Sequence, residues 1–150
     1  MLHVVLIEPE IPPNTGNIAR LCLAAKARLH LVEPLGFSID DKNLKRAGMD
    51  YWDQCDIHTW KSFEDLRASM PNARYFYLTT KSKQVYWEVD FKDGDCLVFG
   101  RETKGLPESL LHAEAAYTLT IPMERNARSL NLATSVGIVL YEAIRQIRGR

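Results

Sequence analysis

Residues 2–32, LHVVLIEPEIPPNTGNIARLCLAAKARLHLV, decide the fold class. Leu2–Ile7 is a short apolar run rich in β-branched residues and reads as a strand. Thr15–Ala27 spaces its apolar residues for a helix, and Leu29–Val32 is a second apolar run of strand length. The pattern repeats outward from this stretch. Asp56–Trp60, Tyr75–Thr79, Cys96–Phe99 and Tyr117–Ile121 read as further strands, and Asp40–Ala47, Ser62–Met70 and Pro107–His112 as helices. Ser62 suits an N-cap and Pro107 a first helical position. Leu132, Val136, Val139, Leu140, Ala143, Ile144 and Ile147 form a wide apolar stripe on one long final helix. Alternating strands and helices predict an α/β fold, with a mostly parallel sheet and helices on both faces.

The chain has 150 residues, 46% of them apolar, which is the size of a single domain over residues 1–150. Nineteen basic residues balance nineteen acidic ones, so a large non-specific polyanion binder is excluded while a local basic patch is not. No apolar run approaches the ~20 residues of a membrane-spanning helix. The N-terminus has neither the basic flank nor the small-residue cleavage site of a secretory signal. Cys22, Cys55 and Cys96 are odd in number and widely spaced, and His3, His30, His58 and His112 are scattered singly. A disulfide framework or a zinc site needs paired or clustered ligands, so a reduced, metal-free, cytoplasmic protein is expected.

Ligands of such sheets bind beyond the carboxyl ends of the strands, where polar chemistry is concentrated in four loops. After the first strand comes EPEIPPNTGN (residues 8–17), in which Thr15 and Asn17 are candidate caps and Gly16 allows close backbone approach. Thr79-Thr80-Lys81 follows the fourth strand. Phe99-Gly-Arg-Glu-Thr-Lys-Gly-Leu-Pro107 places Glu102 between two glycines, either as a functional group or in a surface ion pair with Arg101 or Lys104. In the fourth loop, residues 121–132, Ser129 and Asn131 suit the entrance of the last helix, whether as caps or as ligand contacts. One glycine near residue 16 is not the three-glycine dinucleotide fingerprint, so a nicotinamide-dependent dehydrogenase is set aside.

With these loops the chain resembles the SPOUT class of RNA methyltransferases, most closely its minimal TrmL (YibK-like) group of tRNA ribose 2′-O-methyltransferases. The colinear matches are IEPEIPPNTGNIARLC (7–22), LVEPLGF (31–37), DYWD (50–53), LTTK (78–81), FGRETKGLP (99–107), IPM (121–123), RSLNL (128–132) and YEAIRQ (141–146). They span almost the whole chain. Arg101 stands where relatives often carry Pro, Lys104 where they carry Arg, and Leu130 where Met is frequent. The resemblance implies a C-terminal trefoil knot, an exception to the rule that chains do not thread loops. It also implies a homodimer and S-adenosylmethionine as cofactor, contacted by Leu78, Gly100, Ile121 and Ser129 with Met123, Leu130 and Ser135 nearby. The implied catalytic residues are Arg20, Asn14, Glu102, Ser129 and Asn131. Arg20 would orient the 2′-hydroxyl and stabilise the developing oxyanion, while Glu102, Ser129 and Asn131 hold Arg20, the ribose and the adjoining phosphate. A guanidinium stays protonated, which disfavours a free-base role.

The implied substrate is the wobble nucleotide (C34 or U34) in the anticodon loop of leucine tRNAs. Candidate RNA contacts are Arg20, Lys42, Lys45, Arg46, Arg125, Arg128 and Tyr141, although the basic turn 42–46 also fits a solvated face and Tyr141 a core position. The alternatives are a different tRNA or rRNA position, or a dimeric RNA-binding module that has lost catalysis.

Overall fold

The computed structural model describes residues 1–40, 42, 44, 46 and 49–150. Among the described residues the strands and helices with defined bounds are, in order, β1 (His3–Ile7), α1 (Pro12–Ala25), β2 (Arg28–Val32), β3 (Ile57–Trp60), α2 (Phe63–Ser69), β4 (Tyr75–Leu78), β5 (Cys96–Phe99), α3 (Glu108–Ala113), β6 (Thr118–Leu119) and α4 (Leu132–Arg148). Short 3₁₀ turns lie at Met49–Gln54, Tyr86–Glu88 and Ala115–Tyr117. The expected helix Asp40–Ala47 lies in part outside the described residues, as does Lys45.

All six strands pair in parallel, in the order β3-β2-β1-β5-β4-β6. The first half of the chain steps outward from β1, while the second half enters at β4, moves inward to β5 and ends at the edge as β6. The order therefore switches between β1 and β5, and ligands of such sheets bind beyond the carboxyl ends of the strands. Strand alternation sorts the two faces. Val4, Leu6, Leu29, Leu31, Leu97 and Phe99 pack with Ile18, Ala19 and Cys22 of α1 and with Val136, Val139, Leu140 and Ala143 of α4. Val5, Ile7, Tyr77, Cys96 and Val98 pack with Phe63 and Leu66 of α2 and with Leu106.

Local chemistry sets most element ends. Ser62 Oγ accepts from the Asp65 amide at 3.1 Å and starts α2. Pro107 is one position earlier than expected, an N-cap preceding Glu108. The first helix departs further from expectation, beginning at Pro12 and leaving Thr15 buried inside it rather than capping it. Two prolines are well placed in a first turn, where their missing N–H groups cost nothing. No side chain of the helix's own start caps it; the cap comes from elsewhere in the fold.

Candidate functional site

That cap is Glu102. Its Oε1 accepts from the Glu10 amide at 2.8 Å, and its Oε2 from the Ile11 amide at 2.8 Å and from Asn14 Nδ2 at 3.3 Å. A carboxylate at a helix N-terminus satisfies orphan donors and meets the positive end of the helix dipole. Glu102 is therefore not in the surface ion pair that its basic neighbours suggested: Arg101 instead donates to Glu8 Oε1 at 2.9 Å. Asn14 Oδ1 accepts from Asn131 Nδ2 at 3.1 Å, and Asn131 Oδ1 in turn caps α4 through the Thr134 amide at 3.3 Å. One hydrogen-bonded chain, Glu102–Asn14–Asn131, thus ties the starts of α1 and α4 to the loop after β5. Glu10 strengthens the tie, because its Oε1 accepts from the Thr103 amide and from Thr103 Oγ1 at 3.1 and 2.7 Å. Those bonds from Thr103, with Arg101 and Lys104 nearby, hold its carboxyl below the usual glutamate range.

Around this chain lies a cleft of about 640 Å³ at the carboxyl ends of β4, β5 and β6. Its walls bring together every expected cofactor contact: Leu78, Gly100, Ile121, Met123, Ser129, Leu130 and Ser135. Gly100 is there because nothing larger fits. A Cβ on it would fall 2.1 Å from the carbonyl carbon of Gly105 and 2.3 Å from the Leu106 amide nitrogen. The apolar wall with a few convergent polar groups is the usual make-up of a small-molecule site. It suits a flat heterocycle whose edge is read by backbone groups, so these residues fit an adenosyl cofactor.

Of the expected catalytic residues, Asn14, Glu102, Ser129 and Asn131 line the cleft, and Arg20 does not. Six residues of α-helix carry Arg20 about 240° round the axis from Asn14. It stands exposed on α1 rather than being held by Glu102 and Asn131 of its own chain. Arg128 lines the cleft, while Arg125, Lys42 and Arg46 are exposed away from its walls. Tyr141 is 45% exposed on α4, so the core reading of that residue is wrong. Lys81, Thr103 and Lys104 also line the cleft without having been assigned to it as contacts, although their place just after β4 and β5 carried the signal.

The SpoU rRNA methylase family model matches residues 1–141. The chain belongs to the SpoU rRNA methylase family. It is a methyltransferase. Its relatives include the Escherichia coli (strain K12) tRNA (cytidine(34)-2′-O)-methyltransferase, 50% identical over 151 residues that cover 98% of this chain and 94% of that protein. A solved structure reported as "Structural insights into the 2-OH methylation of C/U34 on tRNA" superposes with a TM-score of 0.93 at 47% identity, covering 100% of this chain and 98% of that one. An AdoMet-bound rRNA methyltransferase from Sinorhizobium meliloti gives a TM-score of 0.84 at 30% identity, over 96% of this chain and 56% of that one.

A second polar cluster of this SpoU-family chain lies at the opposite edge of the sheet. Parallel register sets His30 beside His58, and His30 also reaches His3 on the neighbouring β1. Trp60 Nε1 donates to His30 Nδ1 at 3.0 Å, so the proton of His30 sits on Nε2 and is shared with His3 Nδ1 at 2.9 Å. Burial, then the neighbouring His3, pushes His30 down to about 3, and burial lowers His3 as well. Histidines scattered singly in sequence are thus gathered by the fold. Among the described residues no group of three His, Cys, Asp or Glu is arranged to hold a metal ion, and no helix is long and apolar enough to cross a membrane.

Proposed function

We propose that this chain is an S-adenosylmethionine-dependent 2′-O-methyltransferase acting on the ribose of the wobble nucleotide, C34 or U34, of leucine tRNAs, and that it works as a homodimer with a knotted C-terminal segment. The observation that carries the reading is the cleft itself: seven residues expected to meet the cofactor and four expected to be catalytic, Ser129 being in both sets, line one space at the carboxyl ends of the sheet. The similarity to a tRNA (cytidine(34)-2′-O)-methyltransferase supports the choice of substrate.

S-adenosylmethionine would supply a sulfonium methyl group for in-line displacement by a ribose 2′-oxygen, the C–S bond breaking as the C–O bond forms, with S-adenosylhomocysteine leaving and the hydroxyl proton passing to solvent. Leu78, Ile121, Met123 and Leu130 provide the apolar wall against which an adenosyl group would lie, and the bare backbone at Gly100 leaves it room. Glu102, Asn14 and Asn131 already satisfy one another, so these loops keep their relative positions before any substrate arrives. Such fixed placement supplies most of the acceleration in a single displacement. Ser129, exposed at the entrance, is free to bond a ribose hydroxyl.

Arg20 requires a second copy. Arg20, Asn17 and Ala24 are exposed on α1 and Tyr141 is exposed on α4, the helix that packs against it. Pairing two chains across these positions would carry Arg20 of one protomer toward the cleft of the other, where its fixed positive charge stabilises the oxygen as it loses its proton.

Two experiments test the reading. Purified protein given labelled S-adenosylmethionine and unfractionated tRNA should yield 2′-O-methylated nucleotide 34 in the leucine isoacceptors. Label on a base, or none on any tRNA, would refute the assignment. Arg20→Ala and Asn131→Ala should each be inactive, and mixing them should restore about a quarter of wild-type activity through mixed dimers. Failure of the mixture to recover would refute the shared site.

A further inference from the structure

The tip of the loop after β5 is a fixed turn, and one of its charged side chains makes no ion pair among the described residues. Gly105 N donates to Arg101 O at 2.9 Å and Arg101 N to Gly105 O at 3.2 Å, closing the turn over Glu102, Thr103 and Lys104. Gly105 has φ +67°, the left-handed conformation that ends a three-residue turn of this kind. Two of the three tip side chains are committed: Glu102 to the amides of Glu10 and Ile11, and Thr103 to the Glu10 carboxylate. The third, Lys104, is exposed, lines the cleft and makes no ion pair within 4.0 Å among the described residues. Its interaction with the protein is the longer-range help it gives, after Thr103 and Arg101, in keeping Glu10 ionised.

The neighbouring cations differ. Lys81 pairs with Glu108 and Arg101 with Glu8. Across the cleft, Arg128 resembles Lys104 in forming no ion pair among the described residues. On a chain of zero formal charge, the cleft walls carry four cations (Lys81, Arg101, Lys104 and Arg128) against one carboxylate, Glu102, whose oxygens are already engaged. Two of those four cations are left for a ligand. Backbone phosphates are the part of an RNA strand that takes such charges, and contacts to them set register without reading sequence. We propose that Lys104 is a phosphate-binding residue for the RNA strand in the cleft, acting with Arg128 from the loop before α4. The assignment rests on the methyl-transfer reading of the cleft and adds to it a residue that holds the strand in register.

The test uses the full-length protein, a labelled anticodon stem-loop RNA, and the variants Lys104→Ala and Lys104→Arg. Lys104→Ala should weaken RNA binding about tenfold at low salt and reduce the slope of log affinity against log salt by about 1. The KM for RNA should rise by a similar factor while kcat changes less than about twofold and S-adenosylmethionine affinity by calorimetry holds. Lys104→Arg should restore both binding and slope. Wild-type affinity and slope in Lys104→Ala would overturn the proposal, as would a loss of S-adenosylmethionine affinity in step with the loss of RNA affinity. Wild-type protein that binds RNA with a Lys104-dependent slope yet transfers no methyl would refute the methyl-transfer reading and leave the phosphate contact standing. Wild-type protein that binds no RNA would refute both.

Discussion

The two edges of the sheet are both dense in hydrogen-bonded polar groups, and they use them differently. At the amino edge, Arg74 grips the buried Asp95 through Nε at 2.8 Å and a terminal nitrogen at 2.6 Å, and Asp95 also accepts from the Lys92 amide at 2.7 Å. Arg28 and His58 share Asp56, and His30 is clasped between Trp60 and His3. Each partner is another group of the same chain, so the network closes on itself. At the carboxyl edge the Glu102–Asn14–Asn131 chain also closes, but it closes around a cleft whose rim keeps Lys104 and Arg128 without ion pairs among the described residues. The difference separates polar groups that hold the fold from polar groups that hold a space open.

Substitutions at the two edges should therefore fail in different assays. The largest effect is expected at Gly100→Ala, where the added Cβ would meet backbone that cannot move aside. Methyl transfer should fall by about 10²-fold or more, with S-adenosylmethionine binding lost in calorimetry. Normal cofactor binding in that variant would place the cofactor elsewhere. Glu102→Ala should lower kcat/KM about tenfold or more by releasing the starts of both helices from the loop after β5, with steady-state kinetics as the readout. A variant as fast as wild type would mean that the tie does not position the site.

At the amino edge the expected losses are in stability. Asp95→Ala removes the acceptor of three donors and should cost about 2 kcal/mol in denaturant unfolding, with the kcat/KM of folded protein unchanged. A drop in turnover beyond the unfolded fraction would join the two edges functionally. The last expected effect is a pH dependence of stability rather than of turnover. Folded His30 stays neutral down to about 3, whereas in the unfolded chain it takes up a proton near 6.5. Between those values the unfolded state binds the extra proton, so stability should fall as pH drops from about 6.5 toward 3, by up to about 1.4 kcal/mol per pH unit. His30→Gln should flatten that slope, and an unchanged slope would assign the acid sensitivity to other groups.

The same contrast governs what could be read from residues alone. The strands were legible because short β-branched runs alternate with helical spacing, and Cys96–Phe99 has the bounds expected of it. The cleft was legible because parallel sheets place ligands after the strands and because the motifs sit in those loops. The start of α1 was not, since its cap is Glu102, about ninety residues away, and no local signal competes with Thr15 and Asn17. The amino-edge cluster was hidden too: His3, His30 and His58 meet only once parallel register sets them side by side. Arg20 was matched by its spacing from Asn14, but helical phase turns it from that chain's own cleft. Sequence spacing names residues, and the phase of the element decides which side of the chain they face.

The most direct measurement compares two anticodon stem-loops of a leucine tRNA, identical except that one carries a 2′-deoxyribose at nucleotide 34. Given S-adenosylmethionine and the wild-type protein, the ribose form should accept one methyl group and the deoxy form none. Equal labelling of the two would contradict transfer to that oxygen.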